Sequence, residues 1–339
     1  MRRLKVGVIG AGTQGQEHCK CYAHIPDAEL IAVADPDAER LKRVGEAYKV
    51  PNLFANVADM LALKELEAVS IVTPDHLHRA VAVEALDAGK HVLIEKPLAT
   101  TVEDGVAIVE AARRAGVKTM INFSNRWMSY MIHAKRAVLD GKLGEPVYAY
   151  ARLSNTLYVP TEMLKSWSAR TRLPHWLMSH TIDRVRWLFG GNIRRVFAMS
   201  HSGVLQKLGY DTPDVYAAVV EFDSGAIGNF ESCWILPKTR PTLVDSKMEI
   251  VFSRGAITVD ATETTVRIAT AESYTYPGTL YMDVWGKPTG FAFEAIAHFV
   301  ESVLTDKAPG PSLDDGLHIL KVTAAIVESA EKKQPIDIA

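Results

Sequence analysis

The sequence predicts an α/β fold in which a parallel sheet is followed by an α+β domain with a predominantly antiparallel sheet. Over the first ~120 residues, short β-branched runs alternate with amphipathic helical patterns, as in a strand-helix-strand repeat. After about residue 124, strand-like runs are separated by turn signals instead of helices. A length of 339 residues exceeds one typical hydrophobic core, so we expect two domains, at 1–123 and 124–339.

The elements of the first segment follow from hydrophobic spacing. Continuous apolar runs predict buried parallel strands at 5–9, 29–35, 68–73, 91–95 and 118–122. Apolar residues at helical spacing predict helices at 37–49, 78–90 and 102–116.

The second segment has fewer helices. Helical patterns occur at 131–142 and 180–191, and strand patterns at 146–154, 194–200, 215–222, 226–234, 247–253 and 256–260. Two helices close the chain, at 291–306 and 313–333, and Pro311 and Ser312 are a start signal for the second of them.

The stretch "GAGTQG" between the first strand and the first helix predicts a dinucleotide-binding Rossmann domain. Gly10 would make the tight turn, Gly12 would let the backbone approach a pyrophosphate, and Gly15 would let helix and strand pack. Asp35 ends the next strand, at the position whose carboxylate accepts the ribose hydroxyls. A glycine turn that serves only an ordinary connection is the less favoured interpretation in this context.

The same loop indicates the cofactor. A carboxylate at Asp35 repels the additional phosphate of NADP, which predicts NAD. Arg40 is close enough in sequence to accommodate that phosphate, so NADP remains the alternative. Thr13 and Gln14, inside the motif, are further candidates for contact with the cofactor.

Composition excludes several other functions. With 38 basic and 40 acidic residues the formal net charge is −2, which gives no field to attract nucleic acid or an anionic membrane, and a small-molecule partner is expected. No apolar run is long enough to span a bilayer. Three cysteines cannot form a disulfide framework, so we expect a reducing cytoplasm. His76 and His78 lack further ligands at metal-binding spacing, and no metal site is predicted.

The segment 73–97, "TPDHLHRAVAVEALDAGKHVLIEKP", resembles the Gfo/Idh/MocA oxidoreductases. The residues that match the family's pattern are Thr73, Pro74, Leu77, His78, Gly89, Lys90, His91, Val92, Glu95, Lys96 and Pro97. The closing stretch 293–330 is similar to the family's last helices, so the resemblance covers essentially the whole chain. It implies that those helices pack back toward the first domain.

The resemblance implies that Lys96 is catalytic, at the carboxyl end of a parallel strand where ligands bind in open α/β sheets. A lysine in a half-buried cleft can hold a substrate hydroxyl and stabilise the developing oxyanion. Thr73, Pro74, His78 and Glu95 are implied to line the cofactor, together with Lys96. Without the resemblance, a surface Glu-Lys pair at the end of a strand would be the commoner explanation.

The segment "HTIDRVRWLFG" is similar to a second pattern of the family. The residues that match it are His180, Asp183, Trp187, Leu188 and Gly190. His180 and Asp183 are three residues apart and share one helix face. The resemblance implies that His180 is, or relays to, the general base, and that Asp183 contacts substrate. Taken alone, a single helical histidine is more often structural.

Two positions depart from the family's pattern. Polyol-oxidising members usually carry an aspartate four residues before the histidine, where this chain has Trp176, and Met178 stands where glycine is common. His180 therefore lacks an expected orienting partner. Trp176 either stacks on the apolar face of a sugar ring or serves packing, and the sequence favours neither.

Further candidates come from polar side chains near the predicted domain boundary. Asn125, Arg126 and Asn155 suit a hydroxyl-rich ligand, but each could equally satisfy local backbone. Tyr281 is an additional pocket candidate.

These observations predict an NAD-dependent oxidoreductase that transfers a hydride between a hydroxyl-bearing carbon of a sugar, cyclitol or sugar derivative and the nicotinamide. Three alternatives stay open: a non-redox enzyme that holds NAD tightly and acts on glycosides through a transient ketone, a catalytically silent sugar or dinucleotide sensor, and a reductase of an unsaturated ring. An antiparallel sheet needs one face covered, and the family resemblance implies that this face pairs with another subunit, so we also expect a homodimer or homotetramer.

Overall fold

A computed structural model describes residues 2–165, 168, 171–262, 266–276 and 278–338. The chain forms two compact units, Met1–Trp127 with Thr279–Leu317, and Met128–Gly278 with His318–Ala339. Each unit is described by itself below. The predicted functional division, with the cofactor bound by 1–123 and substrate and oligomer contacts made by 124–339, stays a prediction.

The N-terminal part of the first unit alternates strands and helices as predicted. Its elements are β1 (Leu4–Ile9), α1 (Thr13–His24), β2 (Ala28–Ala34), α2 (Ala38–Tyr48), β3 (Asn52–Phe54), α3 (Val57–Leu61), β4 (Ala68–Ile71), α4 (His78–Asp87), β5 (His91–Glu95), α5 (Val102–Ala115) and β6 (Thr119–Asn122). The sheet has the order β3-β2-β1-β4-β5-β6 with every pair parallel. This is the Rossmann strand order, with its switch point between β1 and β4.

Local signals set the helix ends. Asp37 accepts hydrogen bonds from the backbone N–H groups of Glu39 and Arg40 at the start of α2. Thr101 accepts one from Asp104 at the start of α5, which ends at Gly116 with a left-handed φ of 64°. The strand β3 did not emerge from the sequence, because three half-exposed residues at a sheet edge carry too short a pattern.

The second unit contains a mixed sheet with helices. Its elements before residue 279 are α6 (Ser129–Leu139), β7 (Pro146–Asn155), α7 (Ser179–Phe189), β8 (Ile193–His201), α8 (Val204–Lys207), β9 (Val215–Phe222), β10 (Ile227–Cys233), β11 (Val244–Phe252), β12 (Gly255–Asp260), β13 (Ile268–Ala269) and β14 (Tyr274–Thr275). Single π-helical turns occur at Val159–Met163 and Pro174–Met178.

The C-terminal segment contributes to both units. Its elements are β15 (Met282–Val284), β16 (Lys287–Thr289), α9 (Phe291–Leu304), α10 (Leu313–Lys332) and β17 (Ile336–Asp337). The predicted start signal of α10 is a reciprocal cap: Ser312 N–H donates to the Asp315 carboxylate, and Asp315 N–H donates to Ser312 Oγ, both at 3.1 Å. The side chains of α9 join the core of β1, β2 and α1, as the family resemblance implies.

The sheet of the second unit has the order β12-β11-β7-β10-β9-β8-β17. Its pairs are antiparallel except for β7 with β10, which is parallel. The prediction of a predominantly antiparallel sheet is thus confirmed. One face packs against α7, and residues alternate along the strands between buried and exposed. Among the described helices, none has the length and apolar character required to cross a membrane.

Candidate active site

The glycine loop has the backbone of a phosphate-binding turn. Gly10 has a φ of +100°, and a Cβ there would lie 2.7 Å from the Val72 carbonyl oxygen. A Cβ on Gly15 would lie 1.9 Å from the Gly10 carbonyl oxygen, so helix and turn are in direct backbone contact. Apart from Gly12 itself and its two chain neighbours, no heavy atom of the described residues lies within 4 Å of where a Cβ of Gly12 would be. Backbone atoms therefore pack closely against the loop at Gly10 and Gly15, whereas the loop is open at Gly12, the N-cap residue of α1.

Asp35 is buried and contacts this loop through its carboxylate. One carboxylate oxygen accepts the Ala11 N–H at 2.7 Å, and the other accepts the Asp37 N–H at 2.8 Å. A carboxylate has about four lone-pair sites, so two remain for ligand hydroxyls. Asp35 therefore shapes the loop and still fits the predicted contact with a ribose.

The turn after β4 adds polar atoms that fit a bound dinucleotide. Among the described side chains, Thr73 Oγ1 and Asp75 Oδ2 are buried atoms without a hydrogen-bond partner. The His78 nitrogens lie 3.0 Å from the Thr73 carbonyl oxygen and 2.9 Å from the Pro97 carbonyl oxygen, so the imidazole ties the turn after β4 to the turn after β5. His78 is buried, and burial lowers its pKa despite these carbonyls.

Glu95, the last residue of β5, is the centre of a buried polar network. Its Oε1 accepts from Asn122 Nδ2 at 2.5 Å and lies 3.0 Å from His18 Nε2, and its Oε2 accepts from Lys96 N–H at 3.2 Å. Burial acts to raise the pKa of Glu95, but the hydrogen bond and charge of His18, the Asn122 amide and the Lys96 charge outweigh it and lower the pKa. Glu95 is therefore a fixed carboxylate.

Lys96 follows Glu95 at the carboxyl edge of the sheet, and its peptide bond to Pro97 is cis. Burial disfavours the ammonium and lowers the pKa of Lys96 to about 8, while the charges of Glu95 and Asp75 act in the opposite direction. Lys96 is thus a half-buried cation that holds its proton near neutral pH and titrates just above it.

The returning segment of the first unit reaches the glycine loop. Tyr281 O–H donates to Gln14 Oε1 at 3.1 Å, which connects a residue of the motif to the chain near β15. Burial, with the charge of Glu95, raises the pKa of Tyr281, so its hydroxyl stays a donor. Thr13, beside Gln14 at the start of α1, is exposed.

In the second unit, His180 lies in the first turn of α7, directly after the π-helical turn that carries Trp176. Both side chains are half-buried. Met178, where the family often has glycine, is fully buried and belongs to the core. Within residues 174–180, His180 and Trp176 are partly exposed, while Met178 packs inside.

Asp183 belongs to a buried charged group. It is 1% exposed, as is the adjacent Arg184, whose guanidinium donates to Ser246 Oγ at 3.3 Å. Burial lowers the pKa of Arg184, and the charges of Tyr130 and Asp183 oppose that effect. Asp183 therefore has a structural partner beside it, and its contact with substrate stays a prediction.

Two of the other three predicted polar residues have protein partners in the structure. Asn155 is buried, and its Nδ2 donates to the Leu243 carbonyl at 3.2 Å, which is the backbone role that the sequence left open. Arg126 pairs with Asp315 at 3.6 Å, and Asn125 is buried in the turn before it. Substrate contacts of these three residues stay predictions.

Sequence reasoning missed His18, Ser70, Asn122 and Asp75. The signal was present, because Ser70 interrupts an apolar strand and His18 lies one helical turn beyond Gly15, on the face that packs against the sheet. A buried polar side chain requires a partner, so two such residues in adjacent elements predict a contact.

Sequence comparisons extend this description to the whole chain. Residues 4–123 match the Gfo/Idh/MocA model described as "Oxidoreductase family, NAD-binding Rossmann fold", and residues 135–338 match its C-terminal alpha/beta domain. D-apiose dehydrogenase of Paraburkholderia graminis is 26% identical over 100% of this chain and 90% of its own length. The NAD(+)-dependent scyllo-inositol 2-dehydrogenase of Bacillus subtilis is 26% identical over 99% of this chain and 96% of its own.

Among solved structures, myo-inositol 2-dehydrogenase from Lactobacillus plantarum has a TM-score of 0.86, with 19% identity and full coverage of both chains. This likeness concerns the fold. Together with the two matched domains, it confirms the predicted fold and the predicted NAD-binding domain. The chain belongs to the Gfo/Idh/MocA family of oxidoreductases.

Proposed function

We propose that this protein is an NAD-dependent dehydrogenase of a sugar, a cyclitol or a related polyhydroxy compound. The observation that carries the proposal is Lys96, a half-buried cation at the carboxyl edge of a Rossmann sheet whose glycine loop fits a dinucleotide. Relatives that match over nearly the whole chain include dehydrogenases of D-apiose and scyllo-inositol, both rich in hydroxyl groups.

When bound, NAD supplies the hydride acceptor. Lys96 donates a hydrogen bond to the reacting hydroxyl and stabilises the negative charge that develops on that oxygen. His180 accepts the hydroxyl proton. Asp35 would hold the ribose hydroxyls, and Gly10, Gly12 and the first turn of α1 would present N–H groups to the pyrophosphate.

The surroundings of Asp35 support NAD over NADP. Asp37 adds a second negative charge at this turn, and its carboxylate lies 3.2 Å from Arg40 Nε. The guanidinium that could attract a 2′-phosphate is therefore already paired with a carboxylate.

A substrate screen tests the proposal. Purified protein is incubated with sugars, inositols and glycosides in the presence of NAD or NADP, and the reduced cofactor is followed by its absorbance. We expect NAD reduction with at least one polyhydroxy compound and tighter binding of NADH than of NADPH in a direct titration. Cleavage of a glycoside without net NADH would instead identify the non-redox alternative, and tighter NADPH binding would contradict the role of Asp35.

Trp176 is a candidate contact for the substrate. It occupies the position where polyol-oxidising relatives usually carry an aspartate, and its half-buried indole can cover the apolar face of a sugar ring. Stacking and packing remain alternative roles for this side chain. The predicted cytoplasmic location also stays a prediction.

We further propose a homodimer or homotetramer formed through the sheet of the second unit. Its face opposite α7 carries exposed apolar side chains, including Phe197 (41%), Met199 (67%) and Val219 (48%). Phe197 and Val219 are paired across β8 and β9, so they form one continuous patch. Contiguous exposed apolar patches of this kind mark protein interfaces.

Light scattering tests this assembly. We expect wild-type protein at micromolar concentration to have the mass of two or four chains, and Met199→Glu to shift it toward the monomer with an unchanged circular dichroism spectrum. Val266→Glu, an exposed apolar position outside the sheet, is the matched control and should leave the mass unchanged. A monomeric wild-type protein would contradict the proposal.

A further inference from the structure

A chain of buried polar contacts lies beneath Glu95. Tyr22 O–H lies 2.7 Å from Ser70 Oγ, Ser70 Oγ lies 3.2 Å from His18 Nδ1, and His18 Nε2 lies 3.0 Å from Glu95 Oε1. Tyr22, Ser70 and His18 are each 0% exposed. The chain of contacts thus runs from the interior of the first unit to the residue before Lys96.

The chemistry of the groups sets the donor to Glu95. An ionised carboxylate only accepts, so His18 Nε2 must carry a hydrogen and donate it to Glu95. Ser70 Oγ lies between His18 Nδ1 and the Tyr22 hydroxyl, and burial raises the pKa of Tyr22, so that hydroxyl stays protonated. The imidazole is therefore held by Ser70 on its Nδ1 side and donates to Glu95 on its Nε2 side.

We propose that His18 is a positioning residue that holds Glu95 as an ionised, oriented carboxylate beside Lys96 and thereby keeps Lys96 cationic. The inference rests on the proposed function of Lys96. His18 lies one turn inside α1, after the glycine loop, and its imidazole faces Ser70 and Glu95.

The charge balance explains why Lys96 requires this support. Among the described residues, the groups that interact with Glu95 and Lys96 include His18 from α1, Asp75 and His78 from the turn after β4 and the start of α4, and Tyr281 from the returning segment. Burial disfavours the Lys96 ammonium, and Glu95 is the first of the two carboxylates that oppose it. If Glu95 loses the donor that orients it and stabilises its charge, Lys96 releases its proton at lower pH.

The experiment measures the Lys96 ammonium directly in protein without cofactor. Lysines are reductively methylated with ¹³C, the Lys96 resonance is assigned by its absence in Lys96→Met, and its titration is followed by NMR. We expect His18→Leu to lower the pKa of Lys96 by about 1 unit, the low end of the effect of a neighbouring opposite charge. His18→Gln, whose amide N–H can reach Glu95, should restore most of the wild-type value.

Tyr22→Phe is the matched control, because it alters the same buried network and leaves the contact between His18 and Glu95 in place. It should leave the Lys96 titration unchanged. If His18→Leu does not fold, His18→Asn replaces it, since the shorter amide can keep the contact with Ser70 and not the one with Glu95. A His18 variant with lower thermal stability and an unchanged Lys96 titration would overturn the proposal and leave His18 a packing residue.

Activity separates this inference from the function on which it rests. If the Lys96 titration moves in His18→Leu, the high-pH limb of kcat/KM should move with it. If the titration moves while Lys96→Met retains its turnover, the role of His18 stands and the catalytic role of Lys96 fails. If the Lys96 titration is unchanged in His18→Leu and Lys96→Met is inactive, the catalytic role of Lys96 stands and the role of His18 fails.

Discussion

Lys96→Met should lower kcat by about 10²–10³, the loss expected when a preorganised group is removed from a developing oxyanion. Methionine keeps an unbranched side chain, one heavy atom shorter than that of lysine, and removes the charge. In the wild type, the ammonium is present below a pKa of about 8 and is lost as the pH rises through that value. The wild-type kcat/KM should therefore fall above about pH 8, and Lys96→Met should be slow at every pH. Steady-state kinetics from pH 6 to 10 measure both effects.

Lys90 provides a matched control at the opposite end of the same strand. It precedes β5, is buried, and its ammonium donates to the carbonyls of Leu63 and Leu66 at 3.2 and 2.9 Å. Lys90→Met should lower thermal stability and leave kcat near the wild-type value. Lys96→Met should lose turnover and still bind NADH, because the predicted NADH contacts are made by the glycine loop and Asp35. Turnover of Lys96→Met within about tenfold of wild type, below the range for such a group, would make the turn after β5 merely structural.

Much of the fold was predictable because its signals are local. A buried parallel strand is a continuous apolar run, so β5 was predicted from residue 91 to 95 and observed from His91 to Glu95. The pairing of β7 with β10 was not predictable in this way. It joins strands far apart in sequence in a parallel register, and alternation along one strand does not reveal its neighbour.

The candidate site likewise contains residues with a local sequence signal and residues that only the fold brings together. Gly10, Gly15 and Asp35 were identified because a tight turn, a close approach and a ribose contact each restrict the residue type. The partners of Glu95 come from α1 and β6, and only the folded sheet brings His18 and Asn122 to the same carboxylate oxygen. For Asn155, the sequence indicated a polar residue, while the fold determined that its amide binds backbone.

His180→Ala should lower kcat by about 10²–10⁴, the contribution typical of a positioned general base. The lost function is proton removal, which small molecules can supply. His180 is half-buried, so its removal leaves a space that solvent can reach. We therefore expect imidazole in the buffer to restore part of the activity of His180→Ala, with saturation kinetics, and to leave Lys96→Met inactive. Hydroxide should likewise replace the missing base in His180→Ala, so the activity of this variant should increase as the pH rises toward 8, while the Lys96 ammonium is still present.

The comparison of the two variants assigns the two roles. His133→Ala, an exposed histidine on α6 in the same unit as His180, is the control and should change neither kcat nor the response to imidazole. NADH binding should be retained in His180→Ala, because the predicted contacts of the dinucleotide run through Gly10, Gly12, Gly15 and Asp35. If imidazole restores neither variant and the loss in His180→Ala is confined to KM, His180 binds substrate without removing its proton. The proton acceptor would then have to be sought elsewhere, and the neutral form of Lys96, populated above a pKa of about 8, would be the first group to test.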